Sequence, residues 1–152
     1  NITAVLERVV FSFATPPYLI AENDLYRINL FRKLYTILPN CSAKKMKSIE
    51  DIQIPSPEGH NIPATVYTPV SQVCAEIKRP IVIHMHGGGF VIGDVPMHTP
   101  ITTSLASHTG FIVVSIEYRL APEHKFPAAH NDCVAAVQWI HENAAALVGT
   151  RK

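Results

Sequence analysis

The chain has 152 residues, 47% of them hydrophobic and 16% charged, which suits the core of about one domain and excludes an intrinsically disordered protein. The formal net charge is +1 and no unbroken run of Lys or Arg exceeds two residues, which argues against nucleic-acid binding. No apolar run approaches the roughly 18 residues of a transmembrane segment, and the N-terminal "VLERVVFSF" lacks the basic flank of a secretory signal.

Residues 2–40 have a helical pattern that is broken at "TPPY". In "LYRINLFRKLYTIL" the apolar residues recur every three or four positions, which is typical of one buried helical face. That face consists of Leu25, Ile28, Phe31, Leu34, Ile37 and Leu38. Leu30 falls off it, so the stripe is imperfect.

From Lys47 the pattern changes to that of β-strands. "SIEDIQIP" alternates isoleucines with polar residues, and "NIPATVYTP" follows after "SPEGH", whose Pro-Glu-Gly favours a turn. The two segments predict an antiparallel β-hairpin. The following "SQVCAEIKR" is interpreted as a connector.

The next region predicts a strand, a helix and a second strand. "IVIHM" and "FIVVSIEY" are continuous β-branched runs, as in strands buried on both faces. Between them, "HTPITTSLASHTG" predicts a helix with Thr99 as N-cap, Pro100 at its first position and Gly110 at its end. This order is that of a βαβ unit with a right-handed crossover.

A proline-broken loop, "RLAPEHKFP", comes next, and "AAHNDCVAAVQWIHENAAAL" predicts a second helix. The predicted apolar stripe of this helix is Ala129, Cys133, Val137, Ile140 and Ala144. The fold class is therefore α/β: an antiparallel hairpin that leads into a mostly parallel sheet with flanking helices.

The glycine run in "IVIHMHGGGFVIGD" lies directly after the first buried strand, and three sites would explain it. A phosphate-binding loop requires glycine spacings that Gly87, Gly88, Gly89 and Gly93 do not match in full. A metal site is the second alternative, because His84 and His86 share one face of an extended strand. Its third ligand would be His98 or Asp94, although a histidine on a buried strand is more often a hydrogen-bonded core residue.

An oxyanion hole is the third alternative. Backbone N–H groups that stabilise the negative oxygen of an acyl-transfer intermediate contribute roughly 3 kcal/mol each. Glycine lets such a loop turn its N–H groups toward an ester without obstruction. His86 would then hold the loop by hydrogen bonds, and Phe90 would line the substrate pocket. A tight turn in which the glycines serve packing only is the remaining alternative.

A second motif bears on this choice. "EYRLAPEHKFPAAHND", from Glu117 to Asp132, resembles the signature D-Y-R-L-A-P-E-x-x-F-P-A-A-x-x-D of the hormone-sensitive-lipase-like branch of the α/β-hydrolase fold, a group of carboxylesterases and lipases. "HGGGF", Gly93-Asp94 and His98 stand at the spacing of that family. The resemblance is dense from Pro80 to about Ile140, and Glu117 stands where the family usually has Asp.

The resemblance implies roles for individual residues. Gly87 and Gly88 would be the oxyanion donors, with Gly89 completing the turn and Asp94 among the residues that support the loop. The resemblance also implies a partly buried network of ion pairs and hydrogen bonds that shapes the neighbouring loop and consists of Arg119, Glu123 and Asp132. Residues 1–45 would form a helical cap segment, and residues 46–152 an incomplete hydrolase domain.

The catalytic triad expected from the family has no counterpart in this sequence. Its nucleophile is a Ser in G-x-S-x-G, a motif that occurs nowhere in the chain, and the acid and His follow that Ser. We therefore expect the N-terminal half of a serine carboxylesterase for short- to medium-chain acyl esters, with no metal or organic cofactor. The expected partners are an ester substrate and the C-terminal half of the same hydrolase.

Alone, the chain is expected to be inactive and to fold poorly, because its last helix and strand would expose apolar faces. The alternative is a non-catalytic binding or interaction module derived from a truncated hydrolase. Three widely spaced cysteines form neither a metal-ligand pair nor a disulfide framework, so a reducing, cytoplasmic location is expected.

Overall fold

The computed structural model describes residues 25, 28, 29, 32, 33, 42–70 and 79–149. The first five of these residues are helical. The elements that follow are β1 (Met46–Pro55), β2 (Asn61–Pro69), β3 (Ile81–Met85), α1 (Val95–Thr109), β4 (Ile112–Ile116), α2 (Ala128–Glu142) and α3 (Ala144–Gly149). Most of the predicted connector, residues 71–78, lies outside the described part.

The predicted antiparallel hairpin is confirmed. β1 pairs with β2, with Pro55 opposite Asn61 at the closed end. The turn between them is held by two backbone hydrogen bonds, Gly59 N–H to Ser56 O at 3.0 Å and Ser56 N–H to His60 O at 2.8 Å. Gly59 has a φ of +86°, a conformation that glycine adopts without steric cost.

The strands form one mixed sheet in the order β1-β2-β4-β3. β2 and β4 are antiparallel, whereas β3 and β4 are parallel and are joined through α1, as the predicted βαβ unit requires. Alternate residues of β4 enter two separate cores. Ile112, Val114 and Ile116 pack with α2 and α3, while Val113 packs with α1. Helices therefore cover both faces of the sheet, which confirms the α/β class.

The two predicted buried strands differ in their exposure. β4 is fully buried along its length, as predicted. The first four residues of β3 are only partly buried and Met85 is exposed. The prediction was wrong for β3 because, among the described residues, it pairs with β4 alone and lies at the edge of the sheet.

The predicted start of α1 at Thr99 was wrong. The helix begins at Val95, and its N-cap is Asp94, whose carboxylate accepts a hydrogen bond from Met97 N–H at 2.7 Å. Pro100 consequently lies inside the helix rather than at its first position. The predicted end is confirmed: Gly110 is left-handed, with a φ of +70°, and its N–H donates to Ala106 O.

The second predicted helix is divided at Asn143 into α2 and α3, so the prediction of one continuous helix was wrong. Its stripe is also partly wrong. Ala129 and Ile140 are buried as predicted, but Val137 is 38% exposed. Asp132, Ala135 and Ala136 are buried instead, since the α2 face that meets the sheet is rotated from the predicted one.

Of the predicted N-terminal apolar face, Ile28 is buried whereas Leu25 is exposed. Phe31, Leu34, Ile37 and Leu38 lie outside the described residues. None of the described helices combines the length and the apolar character that a membrane crossing requires.

Candidate active site

The glycine loop, residues 87–93, leaves the carboxyl end of β3 in a backbone conformation that most side chains avoid. The φ angles of Gly88, Gly89 and Phe90 are +130°, +62° and +62°. A Cβ atom at Gly88 would overlap the carbonyl of Ile92, whereas one at Gly87 would meet nothing within 4 Å. The Gly88 carbonyl accepts from the N–H groups of Val91 at 3.2 Å and Ile92 at 3.1 Å, which closes the turn.

The backbone amides of this loop are available for a ligand. Within the described part of the chain, no carbonyl or side chain accepts a hydrogen bond from the N–H of Gly87, Gly88 or Gly89. Gly87 and Gly89 are exposed and Gly88 is partly buried. Consecutive free N–H groups at the end of a strand are the kind of donor that a negative oxygen requires.

His86 joins the loop to the core. It is only 3% exposed, and its Nδ1 lies 3.0 Å from the carbonyl oxygen of Gly87. Burial lowers the pKa of His86, so the imidazole is neutral and the proton on Nδ1 is donated to that carbonyl. Gly93 is part of this packing, because a Cβ there would approach His86 Nδ1 to 2.7 Å.

Tyr118, two residues after the end of β4, supports His86. The two rings are stacked with centroids 4.2 Å apart, and the Tyr118 hydroxyl donates to the His86 carbonyl at 2.6 Å. Burial raises the pKa of Tyr118 to about 12, so the hydroxyl keeps the proton that it donates. The Tyr118 ring also lies 6.2 Å from the ring of Phe90, which is 62% exposed at the rim of the loop.

Two carboxylates meet the N-terminus of α1, which follows the glycine loop. Asp94 is the N-cap, and Glu117 Oε2 accepts from Val95 N–H at 2.7 Å. Glu117 Oε1 is 3.7 Å from His86 Nε2, a buried nitrogen without a hydrogen-bond partner among the described residues. Burial raises the pKa of Glu117, and the charge of Asp94 adds to the effect.

The histidines of the metal alternative do lie near each other. The rings of His84 and His86 each lie 5.6 Å from the ring of His98. His84 Nδ1 contacts Ser115 Oγ at 2.9 Å, and His98 Nδ1 contacts the Asp94 carbonyl at 3.0 Å. These nitrogens are thus occupied by protein atoms, and no group of three or more metal-ligating side chains is found in the residues that the structure describes.

The signature loop, residues 117–127, packs beside the glycine loop, and Ala121 N–H donates to the Phe90 carbonyl at 2.8 Å. Arg119 of this loop forms a forked ion pair with Asp132 of α2. Arg119 Nε and Nη2 donate to Asp132 at 2.9 and 2.8 Å, and the Arg119 backbone N–H adds a bond of 3.0 Å. His60 and Glu58 from the hairpin turn complete this network, at 2.9 Å from Asp132 and 2.7 Å from Arg119 respectively.

Glu123 does not belong to the Arg119–Asp132 network, so that part of the predicted grouping was wrong. Its carboxylate pairs with Arg32 at 2.8 Å, from the N-terminal helical residues. The same guanidinium donates to the carbonyls of Val91 and Ala121. Arg32, Glu58, His60 and Tyr118 had no assigned role from the sequence, since no local spacing connects them to the glycine loop.

A mixed sheet with helices on both faces and a glycine loop after β3 define the class as α/β hydrolases, and the family model described as alpha/beta hydrolase fold matches residues 82–152. Carboxylesterase NlhH of Mycobacterium tuberculosis is 43% identical over 89 residues, which are 59% of this chain and 27% of that protein. Ethyl acetate hydrolase of Pseudomonas putida is 34% identical over 105 residues, 69% of this chain and 33% of that protein.

Among solved structures, an esterase of Pyrobaculum calidifontis superposes with a TM-score of 0.71 at 38% identity, over 80% of this chain and 39% of that one. The chain therefore belongs to the hormone-sensitive-lipase-like branch of the α/β-hydrolase fold, whose matched relatives are named carboxylesterases and esterases. It spans about a third of the length of the curated relatives it matches, 27% and 33%.

Proposed function

We propose that this chain is the N-terminal portion of a serine carboxylesterase and that its glycine loop supplies the oxyanion hole. The observation that carries the proposal is the set of free N–H groups at Gly87 and Gly88, in a turn whose φ of +130° at Gly88 admits no side chain. The names of the matched relatives support ester hydrolysis as the reaction.

In the proposed mechanism of ester hydrolysis, the N–H groups of the glycine loop stabilise the negative oxygen of the intermediate. A Ser supplied by polypeptide outside this sequence attacks the ester carbonyl, and a His takes its proton while an acid orients that His. The carbonyl oxygen becomes negative and accepts hydrogen bonds from the N–H groups of Gly87 and Gly88. Collapse releases the alcohol, which takes the proton from the His, and water then hydrolyses the acyl-enzyme by the same steps.

The supporting residues keep the donors aligned. The neutral His86 donates a hydrogen bond to the Gly87 carbonyl. In a trans peptide group the Gly88 N–H points the opposite way from that carbonyl, so it is directed away from His86. Gly89 completes the turn. Asp94 fixes the start of α1 immediately after the loop. Phe90, exposed at the rim, is positioned to contact the acyl or alcohol group of the substrate.

The partner in this proposal is the remaining C-terminal half of the same hydrolase. β3 is at the sheet edge of the described part, where a further parallel strand would pair with it and bring the nucleophile next to the glycine loop. Residues 1–45 would act as a helical cap segment over the substrate pocket, and residues 46–152 as the incomplete hydrolase domain.

Short- to medium-chain acyl esters are the proposed substrates, and the name of the ethyl acetate hydrolase of Pseudomonas putida agrees with the short end of that range. The proposed chemistry uses a serine nucleophile and requires no metal or organic cofactor. A reducing, cytoplasmic location is proposed from the cysteine pattern, and Cys133 is a free, partly buried thiol.

Turnover of p-nitrophenyl acetate and p-nitrophenyl butyrate tests the proposal with two proteins, the complete hydrolase and this chain alone. The complete protein is expected to hydrolyse both esters and to be inactivated by a serine-directed phosphonate that adds its mass to one Ser. This chain alone is expected to be inactive. Ester binding without turnover by the complete protein would instead favour a non-catalytic binding module, and serine-directed turnover by this chain alone would contradict the proposed division of the site.

A further inference from the structure

The side chain of Arg32, one of the described N-terminal residues, reaches both loops of the candidate site. Its Nε and Nη2 donate to the carbonyl oxygen of Val91 at 3.0 and 2.8 Å. Nη2 also donates to the carbonyl of Ala121 at 3.0 Å. These contacts span 59 and 89 residues of sequence, so they fix tertiary placement and not local structure.

Glu123 holds the guanidinium from the other side. Nη1 and Nη2 of Arg32 donate to Oε1 and Oε2 of Glu123 at 2.8 and 3.1 Å, which is the parallel two-bond geometry of an arginine–carboxylate pair. The pair lowers the pKa of Glu123, so the carboxylate remains charged at neutral pH. The planar fork of an arginine meets all of these acceptors at once, which the single ammonium of a lysine cannot do.

The Val91 carbonyl is a sensitive point of attachment. The N–H of Val91 donates to the Gly88 carbonyl at 3.2 Å, so a shift of Val91 moves the peptide plane on which the adjacent Gly89 N–H lies. The neighbouring Phe90 carbonyl is bound by Ala121 N–H at 2.8 Å. Arg32 therefore bridges the two loops at the position where they already touch.

We propose that Arg32 is a positioning residue that holds the glycine loop against the signature loop and thereby makes the alignment of the loop amides depend on the placement of the N-terminal helical segment. The inference rests on the proposed function for its effect on catalysis, but the positioning of the loop is a separate property. It assigns Arg32, and the described helical residues beside it, a part in forming the donor site, in addition to any role in covering substrate.

The test uses the complete hydrolase with Arg32→Ala, and with Lys33→Gln as the control that removes the same charge one position along the segment. Misplacement of catalytic groups by about 1 Å can cost roughly a hundredfold in rate, so we expect Arg32→Ala to lower kcat about tenfold or more while KM changes much less. Guanidinium ion added to Arg32→Ala at non-denaturing concentration should restore part of kcat, whereas Lys33→Gln should retain the wild-type kcat.

Hydrogen–deuterium exchange of the peptide covering residues 86–94 gives a readout that does not need turnover. Arg32→Ala should exchange faster there than wild type or Lys33→Gln, while peptides from β2 and β4 keep their rates. If Arg32→Ala does not fold, Arg32→Lys replaces it, with faster exchange in the same peptide expected.

Unchanged exchange in residues 86–94, or an equal loss of kcat in Lys33→Gln, would overturn the positioning role. A complete hydrolase that binds esters but does not hydrolyse them would overturn the proposed function, and the exchange comparison would still decide whether Arg32 positions the loop.

Discussion

Gly88 carries the most severe steric restriction in the glycine loop. Gly88→Ala would place a methyl group on the Ile92 carbonyl at a φ of +130°. Backbone strain of this kind costs of order 1–3 kcal/mol, so we expect the variant to lose about that much free energy of unfolding and, through displaced donors, about a hundredfold in kcat. Denaturant unfolding and p-nitrophenyl ester turnover of the complete protein measure the two losses.

Gly87→Ala is the matched control for the stability measurement, because an added Cβ at that position meets nothing within 4 Å and its φ is not in the left-handed region. Its free energy of unfolding should stay near the wild-type value. Equal stability of the Gly88→Ala and Gly87→Ala variants would show that the turn relaxes easily, which would remove the steric reason for glycine at position 88.

Glu117 contacts both the start of α1 and the histidine that supports the glycine loop. The carboxylate accepts from Val95 N–H and still faces His86 Nε2 at 3.7 Å, so a single side chain lies between the helix start and the loop support. Because helix N-termini favour negative charge, Glu117 and Asp94 both stabilise the start of α1. The longer acid therefore keeps a structural role at a position where the family usually has Asp.

At the scale of elements, Asp132 connects the hairpin turn, the signature loop and α2. Its side chain is 1% exposed and accepts from Arg119 and His60. Breaking a buried ion pair by removing one partner typically costs about 3–5 kcal/mol, so Asp132→Ala should lose that order of unfolding free energy. Glu58→Gln, at the exposed end of the same network, should change the free energy of unfolding little. Similar losses in the two variants would contradict the expectation that the buried carboxylate contributes more to stability than the exposed one.

The Asp132 carboxylate also makes the free energy of unfolding depend on pH, in a direction that its pKa determines. Burial raises the pKa of Asp132, but the hydrogen bonds from Arg119 and His60 outweigh it and hold the pKa below the ordinary value of 3.8. The stabilisation is therefore present above the ordinary value and lost as the pH falls through the lower folded-state pKa. Thermal unfolding curves of wild type and Asp132→Ala should converge as the pH drops below about 4.

Element prediction succeeded where the signal was local. The hairpin, β4 and the end of α1 follow from alternation, β-branched runs and a glycine, all of which act within a few residues. The start of α1 was missed because Thr99-Pro100 matches the pattern of an N-cap followed by proline, whereas the N-cap in the structure is Asp94. Asp94 is favoured through a partner that local sequence cannot reveal, the Glu117 carboxylate 22 residues away that binds Val95 N–H.

For the whole molecule, the motifs identified the family, but the sequence did not reveal how distant residues meet. Arg32 and Glu123 are 91 residues apart and neither lies in a pattern that names the other. The exposure of β3 was misjudged for a related reason. A continuous β-branched run indicates a strand with two covered faces, yet it does not say which neighbours this chain itself supplies.

The edge position of β3 leads to a prediction about the chain by itself. β3 offers an unpaired edge among the described residues, and Met85 and Phe126 are exposed beside the candidate site. Open edges and exposed apolar side chains promote association, so the 152-residue polypeptide produced alone should be polydisperse and bind a hydrophobic dye. Light scattering and dye fluorescence, compared with the complete hydrolase, measure this directly.

The proposed C-terminal half, produced as a second chain, provides the complementary experiment. If β3 is completed by a strand from that polypeptide, the two chains together should form a monodisperse complex with lower dye fluorescence and recovered ester turnover. The 152-residue chain produced alone could instead be monomeric and unfold cooperatively. That result would mean that residues 1–152 already pair the β3 edge and cover the exposed apolar side chains. The proposed completion of the sheet by the C-terminal half would then be wrong.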